Sequence, residues 1–202
     1  MSDEVAVHLV DDEAPVRDAL AFLFQAHGLQ ARTYASGPEL LAAIDGEPAA
    51  LRGCIVLDVR MEPLSGLQVH DALIARGIWL PVIFLSGHGD IPMAVDALHK
   101  GAFDFVEKPF GDDALVERVQ RALQLEARQH EARSDDERAA ARLASLTDRE
   151  REVMLRVAAG KLNKVIADEL GIAIRTVEVH RARVFAKLGV RSAAEVATLL
   201  AA

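Results

Sequence analysis

A single cysteine, no apolar run approaching the roughly 20 residues that span a bilayer, and no internal repeat or low-complexity tract: these absences bound the 202-residue chain first. One cysteine, Cys54, excludes an internal disulfide, and with no other cysteine beside it a thiolate zinc site is excluded as well. It lies in the apolar run CIVLD and reads as a core residue. The N-terminus, Met-Ser-Asp-Glu, is acidic where a secretory signal is basic and then apolar, so a cytoplasmic protein with no membrane partner is expected. The seven histidines include no i, i+4 pair suited to a metal. Gly87-His88-Gly89 fails as a dinucleotide loop, because Pro92 completes the G-x-G-x-x-G spacing and no Walker A lysine pattern is present. His88 reads as a solvated loop residue, with a place on the rim of a ligand pocket as the alternative.

What is present, 51% hydrophobic and 27% charged residues, is the composition of a soluble globular protein. The net charge of -8 is unevenly spread: residues 1–121 carry -10 and residues 147–202 carry +3. A polyanion partner would therefore dock on the last segment.

From Val5 to about Arg121, short β-type runs alternate with helical patterns. The runs are VAVHLV (Val5 to Val10), QARTY (Gln30 to Tyr34), CIVLD (Cys54 to Asp58), PVIFLS (Pro81 to Ser86) and DFVE (Asp104 to Glu107). Near-continuous apolar strands separated by helices imply right-handed βα units and a five-stranded parallel, doubly wound sheet covered on both faces. After Phe110 the pattern is helical. Ala114 to Leu125 is amphipathic, and the Ala-, Glu- and Arg-rich stretch to Ala144 predicts one long connecting helix, with Ser134-Asp135-Asp136 as a point of interruption and a charged disordered linker as the alternative. Ser145 to Ala202 reads as four short helices: Thr147 with Glu150 three positions on supplies an N-cap, and Gly160, Gly171 and Gly189 punctuate the later segments. The expected organisation is residues 1–122, a helical linker 123–144, and an all-α domain 145–202.

In a doubly wound sheet, ligands bind at the carboxyl ends of the strands. Here those ends carry Asp11-Asp12-Glu13, Asp58, Ser86-Gly87 and, after the fifth strand, Lys108-Pro109. Carboxylates gathered at one edge repel unless a cation joins them, and Mg²⁺ suits them because it accepts one or two carboxylates and keeps coordination positions for a phosphate. Asp58, between Leu57 and Val59 on the central strand, is the best-placed nucleophile toward phosphorus. Lys108 and the Ser86 hydroxyl would share the charge on the equatorial oxygens. Taken singly, an Asp at a strand end is more often a cap or turn residue.

HLVDDEAPVR, LDVRMEPLSGLQ and LSGHGDIPMAVDALHKGAFDFVEKPF resemble, over residues 5–122, the receiver domains of two-component response regulators of the FixJ subgroup. That resemblance implies a flavodoxin-like fold, phosphorylation of Asp58 by a sensor histidine kinase, and Mg²⁺ held by Asp11, Asp12, Asp58 and the backbone carbonyl of Arg60. It also implies Ser86 as switch hydroxyl, Phe105 as switch aromatic, and Lys108 as the phosphate-binding cation before a cis-Pro109. The chain departs from the pattern at Glu62-Pro63, where the family usually has Pro-Gly. Gly66 still stands eight residues beyond Asp58, and Glu62 adds a negative charge near the metal.

Asn163 to Leu170, the turn Gly171-Ile172-Ala173, and a helix from Ile174 to about Leu188 have the form of a helix-turn-helix. Val177, Val184 and Leu188 make its core-facing stripe, and an ordinary amphipathic surface helix is the alternative. The stretch from LTDRERE to AKLGVRS resembles the LuxR/NarL-type DNA-binding domain over residues 145–202. By that resemblance Glu178, Val179 and Ala182 face base edges, and Lys161, Lys164, Thr176, Arg181, Arg183 and Lys187 contact phosphates of double-stranded DNA. His180 is expected to pack beneath the helix, with a phosphate contact as the alternative.

Together these readings imply a phosphorylation-dependent transcription regulator, an activator that dimerises on phosphorylation and meets RNA polymerase at its promoters. It is not an enzyme beyond Mg²⁺-dependent self-phosphorylation and autodephosphorylation. The alternative is a constitutive DNA-binding protein whose receiver only dimerises. An aspartyl phosphatase would need an acid two positions after Asp58, where Arg60 stands.

Overall fold

The structure is a computed structural model, described for residues 4–46, 51–87 and 91–201. His88, expected from the sequence to be a loop residue, lies outside the described residues. The chain divides into two compact units, residues 1–130 and 131–202.

The first unit holds β1 (Val5–Val10), α1 (Ala14–Ala26), β2 (Ala31–Tyr34), α2 (Gly37–Gly46), β3 (Arg52–Asp58), α3 (Gly66–Ala75), β4 (Val82–Ser86), α4 (Ile91–His99) and β5 (Asp104–Glu107), followed by α5 (Asp112–Ala144). All strand pairs are parallel, in the order β2-β1-β3-β4-β5, which is the doubly wound sheet expected. Alternation along the strands sends residues to two covered faces. Val10, Ile55, Leu57, Val82 and Phe84 pack with Leu40, Ile44, Val69 and Leu73, whereas Val7, Leu9, Cys54, Val56, Ile83 and Leu85 pack with Leu20, Phe24, Leu115 and Val119. Each buried aliphatic side chain contributes about 1.5–3 kcal/mol relative to exposure.

β3 starts two residues before the apolar run that announced it. Arg52 and Gly53 interrupt the hydrophobic pattern, yet they pair with Val5 and Ala6. Gly53 adopts φ 120°, and a Cβ there would stand 1.8 Å from the Ala6 carbonyl oxygen, so only glycine lets the two strands approach. Arg52 then reaches Glu126 of α5 through two hydrogen bonds, 2.6 and 3.3 Å, with the Glu126 side chain 5% exposed. Deleting one partner of so buried a pair costs about 3–5 kcal/mol. Leu123 packs on the same sheet face. The start of the stretch read from sequence as linker is thus held against the sheet, and α5 runs through Ser134-Asp135-Asp136 without interruption.

The second unit comprises the end of α5 with α6 (Asp148–Ala158), α7 (Asn163–Leu170), α8 (Ile174–Leu188) and α9 (Ala193–Ala201), the four short helices expected. Thr147 and Glu150 form a reciprocal capping box at the start of α6. Met154, Val184, Leu188 and Val196 make one core cluster, Val153, Val157, Ile166 and Val177 a second, and Phe185 touches both. Among the described residues no helix is long and apolar enough to cross a membrane.

His8 is 1% exposed on β1. Its Nε2 donates to the Arg52 carbonyl at 3.3 Å, and its Nδ1 accepts from the Tyr34 hydroxyl at 3.1 Å. Burial pushes its pKa down to about 4, the Arg52 carbonyl opposing that and the Arg32 charge adding to it. Because the folded value lies below the unfolded one, the stabilisation is complete above pH 6.5 and is lost as pH falls toward 4. Chemical unfolding should show about 2 kcal/mol lost to this group between about pH 7.5 and pH 5. The pH slope should flatten in His8→Gln, and an equal slope in that variant would refute the assignment.

Candidate functional site

The strand order reverses between β1 and β3, and a doubly wound sheet leaves its ligand crevice at such a point. Asp11 follows β1 and Asp58 ends β3; they are 1% and 7% exposed. Each carboxylate gives one oxygen to a backbone amide. The Glu13 N–H donates to Asp11 Oδ1 at 2.9 Å, and the Arg60 N–H donates to Asp58 Oδ2 at 2.7 Å. Their other oxygens converge on a single cation: Lys108 Nζ lies 2.7 Å from Asp58 Oδ1 and 3.2 Å from Asp11 Oδ2. Lys108 is brought there by β5, its own N–H donating to the Ser86 carbonyl at 2.7 Å, and the peptide to Pro109 is cis as expected.

Burial raises the pKa of Asp58. The Lys108 hydrogen bond and charge and the Arg60 amide pull it back, the Asp11 charge pushes it up again, and the net shift is upward. For Lys108 burial alone would lower the pKa, but the hydrogen bond to Asp58 and the charges of Asp58 and Asp11 outweigh it and the net shift is upward. The shift favours the charged form of Lys108, whereas at Asp58 burial outweighs the help that Lys108 and the Arg60 amide give to its charge.

Ser86 closes β4 at 2% exposed. Phe105, on β5, is half-buried, and its ring lies 6.2 Å from that of Phe84, which meets His70 edge-on at 5.5 Å. Sequence reading missed this file of rings, because β4 and α3 bring Phe84 and His70 to Phe105 from distant positions. It also missed why Gly66 is needed. The Gly66 N–H donates to the Val59 carbonyl at 3.0 Å, and a Cβ there would sit 2.2 Å from the Asp58 carbonyl oxygen. The start of α3 thus rests directly on the backbone of the candidate nucleophile. Glu62 is exposed, and its bond to Pro63 is also cis.

Two buried carboxylates facing one cationic point are the donor chemistry of a hard divalent ion. Asp12 stands exposed next to Asp11, and among the described residues no three acidic, histidine or cysteine side chains are already gathered around a common point. The two converging carboxylate oxygens are of the kind a hard divalent cation accepts.

In the second unit α7 ends at Gly171, left-handed at φ 64°, and α8 follows after Ile172 and Ala173. Val177, Val184 and Leu188 are fully buried, which leaves Thr176, Glu178, Val179, Ala182 and Arg183 exposed on α8 and Lys164 exposed on α7. The remaining candidate cations are engaged within the fold. Lys187 Nζ donates to Glu150 Oε2 at 2.6 Å and to the Ser145 carbonyl at 2.9 Å, Lys161 pairs with Glu169, and Arg181 donates to Asn163 Oδ1 at 3.0 Å while lying 5.5 Å over the Phe185 ring. The Lys187 hydrogen bond, with the Thr147 amide, holds the Glu150 carboxyl down to about 2. His180 is half-buried, with Nδ1 out of solvent and without a hydrogen-bond partner among the described residues, consistent with packing beneath the helix.

The receiver domain family of response regulators matches residues 7–120, and the luxR family of bacterial regulatory proteins matches residues 144–200. The chain is 53% identical over 196 residues to the C4-dicarboxylate transport transcriptional regulatory protein DctR of Rhodobacter capsulatus, covering 96% of this chain and 98% of that one. It is 44% identical over 198 residues to the transcriptional regulatory protein FixJ of Azorhizobium caulinodans, covering 96% and 91%. Among solved structures, the response regulator StyR superposes with TM-score 0.91 at 38% identity over 98% of both chains. Full-length FixJ from B. japonicum superposes with TM-score 0.58 at 38% identity, covering 99% and 97%.

Gly66→Ala should lower the unfolding free energy of the first unit by about 1–3 kcal/mol, the usual cost of overpacking. It should also shift the amide resonances of residues 58 to 60, and unchanged stability together with unchanged resonances would show that the contact yields freely.

Proposed function

The chain belongs to the two-component response regulators that join a receiver to a LuxR-type DNA-binding domain, and we propose that Asp58 is its phosphoacceptor, supplied by a sensor histidine kinase. The observation that carries this reading is the Lys108 ammonium shared by Asp11 and Asp58 at the switch point of the sheet. An Asp58 carboxylate oxygen attacks the phosphorus of a phosphohistidine, an O–P bond forms as the P–N bond breaks, and the departing imidazole nitrogen takes up a proton. Lys108, already within hydrogen-bonding distance of Asp58, transfers its donation to the arriving phosphoryl oxygens, and Ser86 supplies a hydroxyl at the end of the neighbouring strand. Asp11, Asp12, Asp58 and the Arg60 carbonyl are the residues that would hold Mg²⁺, which when bound offsets the charge of the phosphoryl group. The acyl phosphate adds up to about two negative charges. Phe105 turns inward with Ser86, and the surface formed by α4 and β5 becomes the dimer face.

The dimer presents two copies of α8 to an inverted repeat of double-stranded DNA, making the second contact intramolecular. Glu178, Val179 and Ala182 read bases, with Lys164, Thr176 and Arg183 on phosphates. Lys161, Arg181 and Lys187 already serve partners within the fold and would share or exchange them on reaching phosphate. The regulator works in the cytoplasm as an activator alongside RNA polymerase. The competing reading, a constitutive DNA-binding protein whose receiver only dimerises, rests on no separate observation.

Incubation with Mg²⁺ and acetyl phosphate should give one acid-stable, base-labile adduct, mapped to Asp58 by mass spectrometry and absent from Asp58→Asn. An unmodified wild-type chain would favour the constitutive reading. In DNA-binding titrations across salt concentration, Arg183→Ala and Lys164→Ala should each reduce the slope by about one unit. Lys187→Ala should leave the slope unchanged while lowering the stability of the second unit, since Glu150 loses its cation; a reduced slope there would make Lys187 a phosphate contact after all.

A further inference from the structure

The turn that carries the acids from β1 into α1 is fixed by hydrogen bonds, one of which comes from a residue with no part in the phosphoryl transfer. The Asp11 N–H donates to the Tyr34 carbonyl at 3.3 Å, and the Glu13 N–H donates to the Asp11 carboxylate. The Asp11 peptide oxygen accepts from Arg17 Nη1 at 2.7 Å. Arg17 is half-buried on the first turn of α1, where its own N–H donates to the Glu13 carbonyl at 3.0 Å. Its guanidinium therefore folds back six residues onto the peptide between Asp11 and Asp12.

That bond has a physical reason. Asp11 is 1% exposed and lies past the last paired residue of β1, so its carbonyl has neither a ladder partner nor ready access to water, and an unsatisfied buried carbonyl is costly. Glu13, at the N-cap of α1, makes no side-chain capping bond, so the usual device for fixing a helix start is missing. Arg17 satisfies that carbonyl with charge-assisted donation that a neutral side chain would not match, and in doing so it ties the first turn of α1 to the end of β1.

Building on the phosphoacceptor reading, we propose that Arg17 is the positioning residue of the acidic edge: by fixing the peptide plane between Asp11 and Asp12 it sets the direction in which both carboxylates leave the backbone toward a divalent cation. Arg17 touches neither metal nor phosphoryl group and acts through the backbone of Asp11. The sign of its effect separates this role from a purely electrostatic one. A cation beside a metal site repels the metal, so removing a mere bystander charge would tighten Mg²⁺ binding. Removing a positioning residue weakens it.

The test is Mg²⁺ titration of the full chain by isothermal calorimetry for wild type, Arg17→Ala and Arg17→Lys, with thermal unfolding in the absence of Mg²⁺ as the check on folding. Arg17→Ala should bind Mg²⁺ about 10- to 100-fold more weakly, the range typical for losing a residue that orients a ligand. Arg17→Lys, which keeps a donor and the charge, should fall between the two and serves as the deciding variant if Arg17→Ala does not fold. Affinity equal to or tighter than wild type in the folded variants would overturn the positioning role and leave the phosphoacceptor reading intact. A wild-type chain that binds no Mg²⁺ would overturn both.

Discussion

The receiver unit depends on a conflict between charge and burial. Asp11 and Asp58 are almost withdrawn from water at the same edge of the sheet, where desolvation and mutual repulsion both disfavour two carboxylates. One ammonium resolves the conflict, and it comes from Lys108, far from Asp11 in sequence. Because the same cation serves both acids, anything that changes the charge on Asp58 changes the demand on Lys108, which directly follows β5, the strand that carries Phe105. On the proposed function, phosphoacceptor site and switch would be a single arrangement.

What surrounds that arrangement is rigid. Gly66 brings α3 onto the carbonyl of Asp58, and Gly53 brings β3 against β1, in both cases because a single methyl group would not fit. At the other end of β3, Arg52 is locked to Glu126, so the strand that carries the candidate nucleophile is fastened at its base to α5. Packed interiors respond to a local change by moving between discrete arrangements rather than by yielding gradually. The turn proposed for Phe105, which is half-buried against Phe84, would be a change of this kind.

In the DNA-binding unit the same economy of charge decides which cations remain available. Glu150 caps α6 and draws Lys187 to itself, and Glu169 engages Lys161. Of the candidate phosphate-contacting cations, Lys164 at the start of α7 and Arg183 on α8 are the ones left exposed without a partner among the described residues, fewer than the sequence suggests. A module with few phosphate contacts binds weakly alone, which is the physical ground for the proposal that two copies act on one operator.

The order of strands and helices, the parallel sheet, the capping box of α6 and the helix-turn-helix were all legible in the chain itself, since hydrophobic period, glycine placement and capping residues act over a few neighbouring positions. So were the acids and the lysine at the strand ends, because strand ends are themselves local features. Partnership was not legible: Arg52 with Glu126, Lys187 with Glu150, Phe105 with Phe84 and His70, and Arg17 with the peptide of Asp11 are choices among many possible donors and acceptors. Burial makes those choices, because only in a folded interior does an unpaired polar group cost enough to force one pairing over another, and burial is a property of the assembled fold rather than of any stretch of sequence.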